Sequence, residues 1–96
     1  MKTYYIYITT NPQRSVLYTG VTNDLNRRLK EHYENRGLPT SFAGKYYCYN
    51  LIYFETFSGI QQAIIREKEI KKWRRSKKEA LINSLNPKWE FLTPPF

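Results

Sequence analysis

The order of hydrophobic and polar positions divides the chain into short strands and amphipathic helices. Residues 4–10 are rich in aromatic and β-branched side chains, which favour a strand. Successive side chains of a strand point to opposite faces, so Tyr5 and Tyr7 share one face while Ile6 and Ile8 share the other. Tyr4 shares the face of Ile6 and Ile8, so one side of this strand is predicted to carry Tyr5 and Tyr7 and the other Tyr4 and the two isoleucines.

Two further runs predict strands. Residues 11–15 form turn material around Pro12, and residues 16–21 follow as a second strand, paired with the first in a hairpin. A third strand is predicted over residues 46–56. A predicted helix separates it from the hairpin, so its place in the sheet does not follow from local sequence.

A first helix is predicted over residues 24–35, with Asn23 or Thr22 as its N-cap. Arg28 and His32 lie four residues apart and so share one helical face, beside the apolar stripe. The side chains predicted to face the core are Leu25, Leu29 and Tyr33. The polar, glycine-containing segment at 38–45 is predicted to be an exposed loop.

Two capping boxes predict the remaining helices. Ser58 and Gln61 would open a helix that runs to about residue 75, and Ser76 with Glu79 would open a short helix through Ile82. The stripe predicted for the longer helix comprises Ile60, Ala63, Ile64, Ile70 and Lys71. Glu67 falls near the middle of this stripe, where a carboxylate needs a partner. A salt bridge to Lys71, four residues later, would be one such partner.

Composition predicts one small domain over residues 1–96, with a core at about 4–89 and a tail at 84–96. The tail side chains Trp89, Phe91 and Leu92 are expected to fold back onto the core. The single cysteine, Cys48, excludes an intramolecular disulfide and predicts a small buried residue. No run approaches a membrane span and no signal peptide is evident, so the expected location is the cytoplasm.

The formal net charge of +8 favours a polyanionic partner, with nucleic acid as the first candidate. Much of the charge is concentrated between positions 66 and 78, around Trp73. Such a run could instead stabilise a helix end or serve solubility. The candidate nucleic-acid contacts are Arg27, Lys71, Lys72, Arg74, Arg75, Lys77 and Lys78.

Phosphodiester hydrolysis needs a proton acceptor for a nucleophilic water and positive charge for the phosphate. The chain offers a strand tyrosine, Tyr7, a second tyrosine, Tyr18, before a turn, the Arg28 and His32 pair, and Glu67. A single carboxylate can hold Mg²⁺, and a guanidinium suits a phosphate. Each of these residues also has a structural interpretation, as a strand aromatic, a solvated helix face or an ion-pair partner.

The ordered set of these residues resembles the GIY-YIG nucleases. The two family tripeptides would be residues 5–7 (Y-I-Y) and residues 18–20 (Y-T-G), each with one substitution. Arg28 follows Tyr18 by ten residues, and residues 67–73 resemble the family segment that begins with the metal-binding glutamate. Within the family, the chain is similar to small stand-alone proteins of the UPF0213 type, related to the N-terminal domain of UvrC.

The resemblance implies an α+β fold, with a small three-stranded antiparallel sheet flanked by helices in the order β-β-α-β-α-α. It also implies hydrolytic cleavage of DNA dependent on Mg²⁺ or Mn²⁺, in repair or recombination. In the implied mechanism, Tyr7 is the general base or proton relay, His32 supports it, and Tyr18 positions the water. Arg28 binds the phosphate and Glu67 binds the metal ion. Gly20 lies in a turn that lets the backbone approach the substrate.

Two points stay open at this level. Many family members have a late asparagine near the site, and Asn86 is a tentative candidate, although it falls later after Glu67 than expected and could be structural. The alternative function is a nucleic-acid-binding module with weak or partner-dependent nuclease activity, acting on DNA or RNA.

Overall fold

The structure, a computed structural model, describes residues 2–93. Within this range the chain forms three strands and four helices, in the order β-β-α-α-β-α-α. They are β1 (Tyr4–Thr10), β2 (Leu17–Thr22), α1 (Leu25–Glu34), α2 (Phe42–Lys45), β3 (Asn50–Phe57), α3 (Ile60–Lys71) and α4 (Arg75–Leu85). The predicted α+β class is confirmed, but the predicted order was wrong by one short helix, α2.

β1 is the central strand of an antiparallel sheet ordered β2-β1-β3. The predicted hairpin is present, and it pairs Tyr7 with Gly20. β3, whose position the sequence left open, pairs with the other edge of β1 and sets Phe54 opposite Tyr7. Tyr7 therefore lies in the middle of the sheet, with a strand on each side.

The two faces of the sheet carry separate apolar clusters, as the alternation in β1 predicts. On one face Ile6 and Ile8 pack with Ala63 and Ile70 of α3. On the other face, Tyr5 and Tyr7 pack with Leu25 of α1. α1 and α3 thus cover opposite faces, and the tyrosine face is the one covered by α1.

The start and the buried face of α1 differ from the prediction. Asp24, rather than Asn23 or Thr22, is the N-cap, because its carboxylate accepts a hydrogen bond from the Arg27 amide. His32 is buried, whereas Tyr33 is 48% exposed. Tyr33 lies outside the core because its ring packs between Tyr49 and the guanidinium of Arg36.

The predicted loop at 38–45 was wrong in part, because its second half is the helix α2. Ser41 caps α2 by accepting a hydrogen bond from the Gly44 amide. A Cβ at Gly44 would lie 2.7 Å from the carbonyl oxygens of Asn35 and Leu38, so only glycine lets α2 pack this closely against the end of α1. Tyr47 then adopts a φ of 59°, which delays β3 until Asn50 instead of residue 46.

The two capping boxes were wrong, and both helix boundaries differ. Gly59 and Arg74 are the N-caps of α3 and α4, and neither helix start, both within the described residues, has a side-chain cap hydrogen bond. The predicted long helix ends at Lys71, since the Trp73 amide bonds to the Ile70 carbonyl in a tighter turn that separates the helices. Of the predicted stripe, Ala63 and Ile70 are buried and Ile64 is half-buried, whereas Ile60 and Lys71 are exposed.

The tail folds back as expected through two of its three apolar side chains. Trp89 packs on the aliphatic face of the sheet, and Leu92 packs on the tyrosine face, where its amide bonds to Leu51. Phe91 stays partly exposed beneath the guanidinium of Arg14. Cys48 is buried as predicted. No helix formed by residues 2–93 is long and apolar enough to cross a membrane.

Candidate active site

Three polar side chains meet on the tyrosine face of the sheet. The Tyr7 Oη lies 2.8 Å from His32 Nε2, and Arg28 Nε donates to the same oxygen at 3.4 Å. Tyr7 is fully buried and His32 nearly so, whereas Arg28 is half-buried. Because Arg28 and His32 lie one turn apart on α1, the helix aims both side chains at the strand tyrosine.

Gly20 makes room for the Tyr7 hydroxyl. It lies opposite Tyr7 in the pairing of β1 with β2, and a Cβ at this position would overlap the Tyr7 Oη and lie 2.5 Å from Cζ. The sequence predicted a glycine that brings backbone close to substrate. In the structure, the close approach is to the side chain of Tyr7.

Burial sets the protonation of this cluster. It raises the pKa of Tyr7 above the ordinary tyrosine value, although the hydrogen bond from Arg28 opposes the shift. Burial also lowers the pKa of His32 to about 4, and the positive charge of Arg28 adds to that lowering. At neutral pH, Tyr7 is therefore a phenol and His32 a neutral imidazole, so the two groups share a hydrogen bond in which neither carries a charge.

Tyr18 completes the group on this face. Its ring lies 6.2 Å from that of Tyr7 and 5.5 Å from that of His32, measured between centroids. Tyr18 is half-buried and so connects the buried pair to the surface. Its outer face stacks on Phe42 of α2, with the centroids 6.0 Å apart and the planes 25° apart.

Arg28 is held from two sides. Beyond its bond to Tyr7, its Nη1 donates to Glu31 Oε1 at 3.1 Å. A guanidinium has five N–H donors, so these two contacts leave donors for a phosphate. The Arg28 and Glu31 side chains are both partly exposed, which means that a ligand can reach them.

Lys71 links Glu67 to the tyrosine cluster. Its carboxylate Oε2 is 3.1 Å from Lys71 Nζ, which confirms the predicted i,i+4 ion pair. The same ammonium lies 5.6 Å from the centroid of the Tyr18 ring. The structure therefore brings Tyr7, Tyr18, Arg28 and His32 together, with Glu67 joined to Tyr18 by one cation.

The donor set at Glu67 suits a hard divalent cation bound by few protein ligands. Across residues 2–93 there is no cluster of three or more histidine, cysteine, aspartate or glutamate side chains that could hold a metal. Mg²⁺ often binds through one or two carboxylates and keeps water and substrate phosphate as its other ligands. The Glu67 side chain is 14% exposed and already pairs with a cation, so its position fits such an ion.

The candidate nucleic-acid contacts have different local surroundings. Lys71, Arg75 and Lys78 line clefts beside Tyr18 and Phe42. Lys72 lines a separate depression with Trp73, and Lys77 lies over the Trp73 ring. Arg27 is on α1, bonded to Asn23, and Arg74 caps α4. The first group adjoins Tyr18 of the tyrosine cluster.

Asn86, the tentative late asparagine, is used in packing. It is buried at the end of α4, where its amide nitrogen donates to the carbonyls of Ile52 and Glu90 and its oxygen accepts from the Glu90 amide. These bonds tie the tail to β3. They account for the Asn86 side chain without a role at the candidate site.

Two side chains that touch the candidate site were missed in the sequence. Glu31 follows Arg28 by three residues, and that spacing alone could have predicted the ion pair. The sequence pointed less clearly to Phe42, which is an aromatic residue directly after Ser41 in a polar segment. Its contact with Tyr18 depends on the packing of α2 and could not be derived locally.

Known proteins that resemble this chain identify its family. Residues 3–80 match the family model of the GIY-YIG catalytic domain. A UPF0213 protein of Clostridium perfringens is 40% identical over 86 residues, which is 90% of this chain and 89% of the relative. A UPF0213 protein of Haloquadratum walsbyi is 38% identical over 78 residues, 81% of this chain and 84% of the relative.

A solved structure is also similar. The solution NMR structure of the UPF0213 protein BH0048 from Bacillus halodurans matches with a TM-score of 0.57 and 30% identity, covering 92% of this chain and 90% of that one. The chain therefore belongs to the GIY-YIG nuclease family. Within it, the chain is a small protein of the UPF0213 type. Nucleases of this family act on nucleic acid and generally depend on a divalent metal.

Proposed function

We propose that this protein is an endonuclease that hydrolyses phosphodiester bonds of DNA with the help of Mg²⁺ or Mn²⁺. The observation that carries the proposal is the contact of Tyr7 with both His32 and Arg28. A buried phenol bonded to a neutral imidazole and a guanidinium joins a proton relay to a phosphate ligand. Membership of the nuclease family supports the same conclusion.

Tyr7 and His32 form the proton relay in this proposal. In the His32 tautomer whose Nε2 carries no proton, Tyr7 donates its own proton to Nε2 while its Oη accepts a bond from Arg28. Transfer of that proton to His32 leaves a phenolate, which takes a proton from the attacking water. The water oxygen bonds to phosphorus while the bond to the leaving oxygen breaks, and the proton later returns from the relay to the leaving oxygen.

The phenolate of Tyr7 needs positive charge nearby, since burial opposes its formation. Arg28 supplies part of that charge, with its remaining donors directed to the phosphate. Glu67 would hold the metal ion, displacing Lys71 from its carboxylate. When bound, the ion would contribute positive charge to the phosphate oxygens, which stabilises the charge that develops there. Tyr18, at the edge of the cluster, positions the water.

The decisive measurement is metal-dependent cleavage by the purified protein. We expect nicking of plasmid or structured DNA with Mg²⁺ or Mn²⁺, and loss of cleavage in Glu67→Ala and in Arg28→Ala. A parallel RNA substrate distinguishes the two nucleic acids. A role in DNA repair or recombination, implied by the likeness to UvrC, would be supported by preference for flap or junction substrates over plain duplex.

Matched controls are available on α3 and just beyond the end of α1. Glu69→Gln changes a carboxylate of α3 that pairs with Arg66, and Arg36→Gln changes a cation that stacks on Tyr33. Both controls should cleave as the unaltered protein does. Cleavage that persists in Glu67→Ala or Arg28→Ala would indicate a contaminating nuclease and would contradict the proposal.

A second candidate is a nucleic-acid-binding module whose catalytic residues act weakly or only with a partner. The observation that favours it is the Lys71 ammonium on the Glu67 carboxylate, which competes with a metal ion. This function predicts strongly salt-dependent binding without metal-dependent turnover. Binding and cleavage measured on the same oligonucleotides separate the two candidates.

A further inference from the structure

An aromatic surface adjoins the candidate site, and the relay and phosphate contacts do not use it. Phe42 stacks on the outer face of Tyr18, and the Tyr46 ring lies 4.7 Å from that of Phe42, between centroids. Phe42 is 49% exposed and Tyr46 is 40% exposed. Three aromatic rings thus form a continuous row that runs from the tyrosine cluster to the surface, which we call the aromatic row (Tyr18, Phe42 and Tyr46).

The aromatic row forms one side of a groove. A cleft of about 280 Å³ is lined by Tyr18, Phe42, Lys71 and Lys78, and a neighbouring cleft of about 400 Å³ by Phe42, Tyr46, Arg75 and Lys78. Phe42 and Lys78 border both, so the clefts are continuous. Among the described residues that line the two clefts, three are cations and none is a carboxylate.

α2 holds the aromatic row in place. Its Ala43 is buried, and hydrogen bonds from Gly37 to the Gly44 carbonyl and from Cys48 to the Ala43 carbonyl fix both sides of the helix, each at 2.8 Å. Together with the Ser41 cap, these bonds orient Phe42 outward. A rigid aromatic surface loses little conformational entropy when a planar ligand stacks on it.

We propose that the groove binds unpaired nucleotides beside the phosphate to be cleaved, with bases stacking on Phe42 and Tyr46 and phosphates contacting Lys78. Bases inside a duplex are already stacked on their neighbours, so exposed aromatic rings between cations suit a single-stranded segment. An apolar protein segment would bind this groove less favourably than a nucleic-acid strand, since three cations border the groove. The inference rests on the proposed function only for the position of the scissile phosphate.

Binding without divalent metal tests this inference independently of cleavage. Fluorescence anisotropy in EDTA would compare labelled oligothymidylate and oligouridylate of about 12 nucleotides with an abasic strand of the same charge. The unaltered protein should bind the two base-bearing strands at least about tenfold more tightly than the abasic one. Preference between the two would assign the groove to DNA or RNA.

Variants separate stacking from charge. Phe42→Leu and Tyr46→Leu should each weaken binding of base-bearing strands about tenfold and change abasic binding less than about twofold. Lys78→Ala should weaken both kinds of strand alike. The matched control is Tyr33→Leu, which removes a 48% exposed aromatic ring that lies outside the groove and should leave binding unchanged. Thermal unfolding checks that each variant is folded.

Three results would overturn the inference. The first is that Phe42→Leu and Tyr46→Leu weaken the binding of abasic and base-bearing strands equally. The second is that both variants bind all strands as the unaltered protein does. The third is that the variants change the sedimentation of the free protein but not its oligonucleotide binding, which would assign the aromatic row to a protein contact. Metal-dependent cleavage of duplex DNA without single-strand binding would overturn this inference and leave the proposed function standing. Base-dependent binding without cleavage would support this inference and contradict the proposed function.

Discussion

Tyr7, His32 and Arg28 touch one another on the face of the sheet covered by α1, whereas Glu67 lies on α3, which packs on the opposite face. The first group is anchored by the central strand and is mostly buried. Glu67 is bonded instead to the Lys71 ammonium, whose side chain is 46% exposed. We call these two regions the relay half (Tyr7, His32 and Arg28) and the carboxylate half (Glu67 and Lys71).

The two halves differ in how firmly their side chains are held before a ligand binds. Moving Tyr7 or His32 would leave buried polar atoms unpaired, which costs about 1–3 kcal/mol for each group. Breaking a partly exposed ion pair costs about 1 kcal/mol or less. The relay half is therefore preorganised, while the proposed exchange of the Lys71 ammonium for a metal ion would cost little free energy.

The largest expected effect comes from removing the relay hydroxyl. Tyr7→Phe keeps the buried ring but removes the atom that His32 and Arg28 share, so cleavage should fall about 100- to 10,000-fold in kcat. Single-turnover kinetics on labelled DNA would measure the loss. Tyr4→Phe, on the same strand but the aliphatic face, is the control and should cleave normally. A Tyr7→Phe variant within about threefold of normal kcat would exclude Tyr7 as the relay.

Crowding the relay half should have the next largest effect. In Gly20→Ala, the new methyl group would overlap the Tyr7 hydroxyl, and the buried ring must shift away from His32. We expect a loss of about 1–3 kcal/mol in the free energy of unfolding, together with reduced cleavage. Urea denaturation and a cleavage assay would record both. Gly59→Ala is the matched control, since its methyl group would meet only the flexible end of Gln62.

Acid should destabilise the protein through His32. The pKa of His32 is lowered to about 4 in the folded state, whereas an unperturbed histidine has a pKa near 6.5. Between these values the unfolded chain binds a proton that the folded protein does not, so stability falls as the pH falls. From pH 7 to pH 5 the loss should be about 2 kcal/mol.

Urea denaturation at both pH values measures this dependence. The His32→Gln variant should lose most of it, because glutamine keeps a polar group beside Tyr7 but does not titrate in this range. An equal pH dependence in the two proteins would mean that other groups dominate and that the His32 ring is less buried than the structure indicates.

The relay half was accessible from sequence because its residues follow local rules. The hairpin sets Tyr7 opposite Gly20, and helical spacing puts Arg28 and His32 on one face. Periodicity failed for the neighbouring Tyr33, which was assigned to the core. The burial of His32 is stabilised by its hydrogen bond to Tyr7, and Tyr7 belongs to a different element.

The surroundings of the site could not be predicted in the same way. α2 forms because Gly44 fits against the carbonyls at the end of α1, a contact between segments that no local pattern records. Phe42 reaches Tyr18 only as a consequence of that packing. The ion pair of Glu67 with Lys71 was predicted by spacing, but the nearness of Lys71 to Tyr18 depends on how α3 crosses the sheet.

The smallest effect tests the carboxylate half. Lys71→Gln removes the ammonium that competes with a metal ion, so Mn²⁺ should bind about two- to fivefold more tightly, in line with the strength of an exposed ion pair. Electron paramagnetic resonance of free Mn²⁺ measures this without substrate. Lys72→Gln, the next residue along the chain, lines a different depression and should leave the affinity unchanged. Unchanged or weaker Mn²⁺ binding in Lys71→Gln would mean that Glu67 does not exchange its ammonium for a metal, and that the two halves do not differ in the way inferred from their burial.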